Sequence, residues 1–169
     1  FNGASQGKLD GSETLSPQTA LTVEAWVRPQ ALGGPYLVEK TGSYAFPKLY
    51  ADGTVAGRVF LTGGDIYLET SSGVATNNLW KHYALTYDGA SVRFYVDGVQ
   101  KASQTASGLV WSNNGNPVLG GGAGFQGFLD EITVHGRALS AAEVMARTEA
   151  MPNLAPNQPV PPWPGTAGQ

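Results

Sequence analysis

The chain has 169 residues, among them 23 glycines and 11 prolines, with 14% charged and 10% aromatic side chains and no cysteine. This length suits one domain with a substantial core, and a turn-rich, charge-poor composition favours short strands over charge-laced helices. The formal net charge of −3 speaks against nucleic acid or an anionic membrane as partner, and the missing cysteines exclude disulfides, zinc–thiolate sites and cysteine nucleophiles.

The sequence opens abruptly at Phe1, as an excised or processed piece would, with any export signal upstream. No apolar run reaches the length of a membrane span, so membrane insertion is not expected. The first strong pattern is LTVEAWVR, which puts Leu21, Val23, Ala25 and Val27 on one strand face and Thr22, Glu24, Trp26 and Arg28 on the other. Short β-rich runs follow at 36–40, 44–51, 55–61 and 66–70, separated by Thr41-Gly42, Asp52-Gly53 and Gly63-Gly64. The stretch WKHYALTYDGASVRFYVDGVQKASQ then predicts three antiparallel strands joined at Asp88-Gly89 and Asp97-Gly98, because glycine adopts the positive φ of tight hairpin turns without a Cβ clash. Two further strands are predicted at 117–120 and 127–135. Ser140, with Glu143 three residues on, has the capping-box spacing and predicts a short helix from Ala141 to about Thr148. Beyond Met151, the proline-rich PNLAPNQPVPPWPGTAGQ reads as an extended linker or tail, which divides the chain into a domain over 1–150 and a tail over 151–169.

Five fragments in this order carry a resemblance: FNG at Phe1, LTVEAWVRP at Leu21, WKHYALTYDG at Trp80, FYVDG at Phe94, and GFLDEITVHGRALSAAEV at Gly127. Together they resemble the laminin-G-like, concanavalin A-like lectin/glucanase domains over residues 1 to about 148. The resemblance implies an all-β jelly roll, a β-sandwich of two antiparallel sheets with about a dozen strands. It also implies terminal strands side by side and one short C-terminal helix. In similar domains, an aspartate at the place of Asp130 often supplies an oxygen to a structural Ca²⁺, with backbone carbonyls near the N-terminal strand completing the shell. This chain departs from that pattern at Asn2, Ala4 and Ser5, where acidic residues are common, and so offers few anionic ligands. Without calcium, Asp130 would accept backbone hydrogen bonds and Glu131 would pair with an arginine such as Arg137.

Glucanases of this sandwich place two carboxylates two or four residues apart on one strand. Asp130 and Glu131 are adjacent and on strict alternation face opposite ways, while Glu24 has no carboxylate two positions away, so no enzyme is expected. His82 and His135 read as ordinary polar strand positions. The candidate ligand-binding residues are Trp111, Asn113, Asn114 and Asn116 in VWSNNGNP, with Phe125 and Tyr36 from other loops, since sugar rings stack on flat π faces and amides bond their hydroxyls. Trp26 and Trp80 are expected to pack. The predicted function is a non-catalytic, secreted or surface-displayed module that recognises glycans. The alternative is a structural or protein-interaction module of a surface fibre, a pilus-like appendage or a virion decoration or tail protein.

Overall fold

The computed structural model describes residues 7–8, 17–113, 115–121 and 124–149. The strands are β1 (Gly7–Lys8), β2 (Leu21–Pro29), β3 (Tyr36–Lys40), β4 (Tyr44–Leu49), β5 (Val55–Val59), β6 (Ile66–Glu69), β7 (Lys81–Tyr87), β8 (Ser91–Val96), β9 (Val99–Thr105), β10 (Val118–Leu119) and β11 (Gly127–His135). One helix, α1 (Ala141–Glu149), follows. The proline-rich stretch from 151 lies outside the described residues.

Two antiparallel sheets stack, one in the order β1-β10-β3-β4-β5-β6 and the other β11-β2-β7-β8-β9. Strand β2 lies between β7 and β11, so the last strand returns to the first long one, while β1 pairs with β10. Leu21, Val23, Ala25 and Val27 are all fully buried between the sheets, with Phe46, Leu85, Phe94 and the rings of Tyr44 and Tyr83. Alternation thus delivers the inner face as the sequence implies. The outer face of β2 is also covered: Thr22, Glu24 and Trp26 are buried too, at the sheet centre and near α1.

The predicted hairpins form. At the β8–β9 turn both Asp97 and Gly98 have positive φ, 48° and 77°, and Val96 opposes Val99, as a two-residue hairpin requires. Gly98 also suits the close approach of the helix: at its φ of 77° a Cβ would lie 3.0 Å from the Met145 Cα and 2.6 Å from its sulfur, so a larger residue would crowd α1. The helix starts as predicted. Glu143 Oε2 accepts the Ser140 N–H at 2.8 Å, and Ser140 Oγ accepts the Glu143 N–H at 3.3 Å. Val144 then packs with Leu139, Ala84 and Tyr95 in a small second core outside the five-stranded sheet.

Candidate functional site

The outer face of the six-stranded sheet can be assembled from its register. Glu39, Ala45, Arg58 and Tyr67 oppose one another in one cross-strand row, and Tyr36, Lys48, Ala56 and Glu69 in the next. Tyr67, at 41% exposure, marks the solvent side, whereas Ala45 and Ala56 are buried at 1% and 0%. The two alanines form a floor over which the longer flanking side chains close. Tyr50 joins this face, because its hydroxyl meets that of Tyr67 at 2.8 Å. Tyr67 in turn donates to Glu69 at 3.1 Å, which makes Tyr50 the donor of the pair. Burial and these hydrogen bonds push the Tyr67 hydroxyl above its ordinary range.

Two cations thread between the rings. The Lys48 ammonium lies 4.8 Å from the Tyr50 ring centroid and 5.7 Å from that of Tyr36, within cation–π reach. Arg58 stacks on Phe60 at 4.4 Å and pairs with Asp65 at 2.6 Å. Burial, together with the nearby Tyr50 and Glu39, raises the Tyr36 hydroxyl against the opposing charge of Arg58. At one end the face opens into a cleft lined by Tyr50, Ala51, Asp52, Thr54 and Glu69. Bonds from the Thr54 backbone and hydroxyl hold the Asp52 carboxyl below its usual range, so it stays an acceptor at neutral pH.

Trp111 enters from a different part of the chain. Leu61 and Val110, both core residues, form an isolated antiparallel bridge, and Trp111 donates its N–H to the Phe60 carbonyl at 2.9 Å. Trp111 and Phe60 therefore both point outward, in continuation of the Arg58 side of the face. The segment is clamped to the β3–β4 turn. Ser43 Oγ donates to the Trp111 carbonyl at 2.5 Å, the Asn113 amide donates to the Thr41 carbonyl, and the buried Lys40 ammonium donates to the Gly115 carbonyl. Burial pulls the Lys40 ammonium below its ordinary range.

Trp111, 55% exposed, and Tyr36 thus belong to one sheet face. Asn113 lies beside that face but spends its amide on Thr41 and its oxygen on the Gly115 N–H, so it shapes the loop. Asn116 is exposed in the same loop, and Asn114 lies outside the described residues. Two expectations need correction. Phe125 is 1% exposed and sits in the main core, because its loop folds inward between β10 and β11. Tyr36 opens strand β3 and is not in a loop. Tyr50, Tyr67, Phe60 and Lys48 were not singled out from the sequence, although the i, i+2 spacing of Lys48 and Tyr50 on a strand was a signal for a shared face.

Asp130 is exposed and opens a β-bulge, where its Oδ1 accepts the Glu131 N–H at 2.9 Å and Glu131 takes φ of 48°. Alternation breaks at the bulge, so it does not decide where these two side chains face. Arg137 pairs with Glu143 at 2.6 Å and not with Glu131, because the capping helix start brings Glu143 closer. No three His, Cys, Asp or Glu side chains converge into a metal-binding group among the described residues. Asp130 alone falls short of the six to eight oxygens of a calcium shell, and the expected carbonyls near residues 1–6 lie outside them.

A second polar constellation lies on the opposite side of the molecule, on the outer face of the five-stranded sheet. The Glu24 carboxylate, 2% exposed, receives His135 Nε2 at 2.8 Å and Arg147 at 3.1 Å on Oε1. His82 Nε2 stands 3.3 Å from Oε2. Burial raises the Glu24 carboxyl, but the two histidines and the Arg147 charge outweigh it, and the net displacement is downward. His82 and His135, expected to be unremarkable polar positions, instead converge on one carboxylate.

The sequence profile of the Concanavalin A-like lectin/glucanases superfamily matches residues 1–145. Similar solved structures include the binding domain of Paraclostridial Mosquitocidal Protein 1, at 20% identity and TM-score 0.71 over 89% of this chain and 42% of that one. Domain 4 of AbnA, a GH43 extracellular arabinanase from Geobacillus stearothermophilus solved with arabinotriose, is 23% identical, at TM-score 0.67 over 86% and 73%. The binding domain of Botulinum Neurotoxin DC, solved with SialylT, is 9% identical, at TM-score 0.66 over 86% and 39%. The chain therefore spans less than half the length of the first and third of these, and the likeness to all three is one of fold. No curated protein matches the chain.

Proposed function

Since the chain belongs to the concanavalin A-like lectin/glucanase superfamily, we propose that it is a non-catalytic glycan-binding module whose ligand lies on the outer face of the six-stranded sheet. The observation that carries this reading is the gathering of Tyr36, Tyr50, Phe60, Tyr67 and Trp111 on one open face, with Lys48, Arg58, Asp52 and Glu69 between and beside them. Aromatic faces take the apolar sides of sugar rings, and the interspersed charged groups bond hydroxyls. From β3 to β6 the face crosses three strand spacings, roughly 14 Å, which suits an oligosaccharide better than a single sugar. The glycan-bound relatives, the arabinanase domain with arabinotriose and the neurotoxin domain with SialylT, support this choice of ligand. A secreted or surface-displayed location follows from the same reading. Among the described residues, no helix is long and apolar enough to cross a membrane.

Affinity electrophoresis through gels of soluble polysaccharides, followed by a glycan array, tests the proposal. Tyr67→Ala and Trp111→Ala, at exposed positions, are each expected to weaken binding at least tenfold while the melting temperature stays within a few degrees. Retardation unchanged in both variants would move the ligand to another surface. No binding to any glycan would favour the structural or protein-interaction role.

A further inference from the structure

The second constellation has no part in the proposed glycan face, yet it joins four elements through one buried carboxylate. Glu24 comes from β2, His82 from β7, His135 from β11 and Arg147 from α1. Its Oε1 serves two donors at once, His135 and Arg147, while His82 Nε2 stands 3.3 Å from the buried Oε2. We propose that this cluster is an acid-released clasp: His135 and Arg147 compete for one carboxylate oxygen, and protonation of the imidazoles frees the last turn of α1 from the sheet.

With both imidazoles neutral, the charges of Glu24 and Arg147 balance. A proton added to His135 makes it a full ionic partner of the Glu24 oxygen at 2.8 Å, so that it neutralises the charge Arg147 had balanced and stands as a like charge beside the guanidinium. His82, 2% exposed, flanks the other oxygen, and its Nδ1 is buried without a partner. As a cation, His82 would add both a further like charge and an orphaned N–H donor. Arg147 is the member able to leave. Its side chain is 42% exposed, against 19% for His135 and 2% for His82, and it alone rides on the helix.

The other contacts of α1 set how far the release runs. Thr22 Oγ1 accepts the Leu139 N–H at 2.8 Å and donates to the Arg137 carbonyl at 2.9 Å, and neither bond titrates. Arg137 and Glu143 pair at the helix start, remote from the carboxylate end of the clasp. Tyr95 of β8 meets the helix as part of the apolar cluster with Ala84, Leu139 and Val144. The helix start is therefore held by uncharged bonds and a separate ion pair, and the turn carrying Arg147 is held by the cluster. Glu24 itself stays ionised in mild acid, since, against the raising effect of burial, the histidines and Arg147 hold its carboxyl below the ordinary carboxylate range.

Hydrogen–deuterium exchange of the whole chain at pH 7.5 and pH 5.0, corrected for intrinsic exchange rates, reads the clasp. The amides of residues 145–149 are expected to lose at least tenfold protection at pH 5.0, while those of β2 and β7 keep theirs. His135→Gln, which retains a donor but cannot titrate, should reduce the acid step, and the His82→Gln/His135→Gln pair should abolish it. Arg147→Gln should leave the last turn open at both pH values. Equal protection at the two pH values in the parent chain overturns the proposal, as does an undiminished acid step in the double variant. Should the double variant fold poorly, NMR of the parent chain decides instead: helix amide shifts must move together with the imidazole resonances, and independent movement overturns the clasp.

Discussion

Phe125 and Trp111 show how far one residue's role depends on chain path. Both are loop aromatics near glycines and amides, yet Phe125 fills the core and Trp111 stands 55% exposed. What separates them is tertiary: Val110 turns inward to meet Leu61, which forces its neighbour Trp111 outward. The variants should therefore behave in opposite ways. Phe125→Ala is expected to cost about 3–5 kcal/mol of stability, a melting temperature lower by roughly 6–20 °C in scanning calorimetry, and to leave glycan affinity unchanged in the folded fraction. Trp111→Ala should lose affinity and keep stability. Glu24 illustrates the same limit of sequence reading. His135 lies 111 residues away from it, and only the sheet order brings them together. A partial signal was present in the sequence, since the chain's only two histidines occupy outward strand positions.

At the scale of elements, local chemistry was readable wherever it determines structure locally. Asp97-Gly98 forms its hairpin because both central residues take positive φ, and Ser140 with Glu143 starts α1 because each satisfies the other's backbone donor. Ser140→Ala is expected to cost about 1 kcal/mol, a fall of roughly 2–4 °C in melting temperature. Glu143 adds a pH dependence whose sign is fixed by its downward displacement to about 2, caused first by Arg137 and then by Ser140. Its stabilisation is present above the ordinary carboxylate range and is lost as pH falls from there toward 2. In Ser140→Ala that loss should shrink, which a series of melting curves from pH 5 to pH 2 would register. The bulge in β11 was not readable. A non-glycine residue at positive φ, Glu131, leaves no mark in an alternating pattern, and opposite faces for Asp130 and Glu131 follow only where alternation holds.

For the whole molecule, calcium is the open proposal carried from the resemblance, through Asp130 and the chain's first residues. If the ion binds the folded state alone, calcium at about 100-fold over its Kd adds roughly 2.7 kcal/mol. The expected result is a melting temperature several degrees higher, reversed by EDTA and much reduced in Asp130→Asn. Superimposable curves in EDTA and in millimolar calcium would remove the ion from the account. The sheet order itself has a further consequence, in time. Strand β2 is buried on both faces, and its two partners lie far down the chain: Val27 opposes Lys81 on one side and Leu129 on the other. A ribosome adding roughly 5–20 residues per second brings out Leu129 some 5–20 s after Val27. For that interval a strand that is buried on both faces in the finished fold lacks its full set of neighbours, so the five-stranded sheet closes only when its last strand arrives.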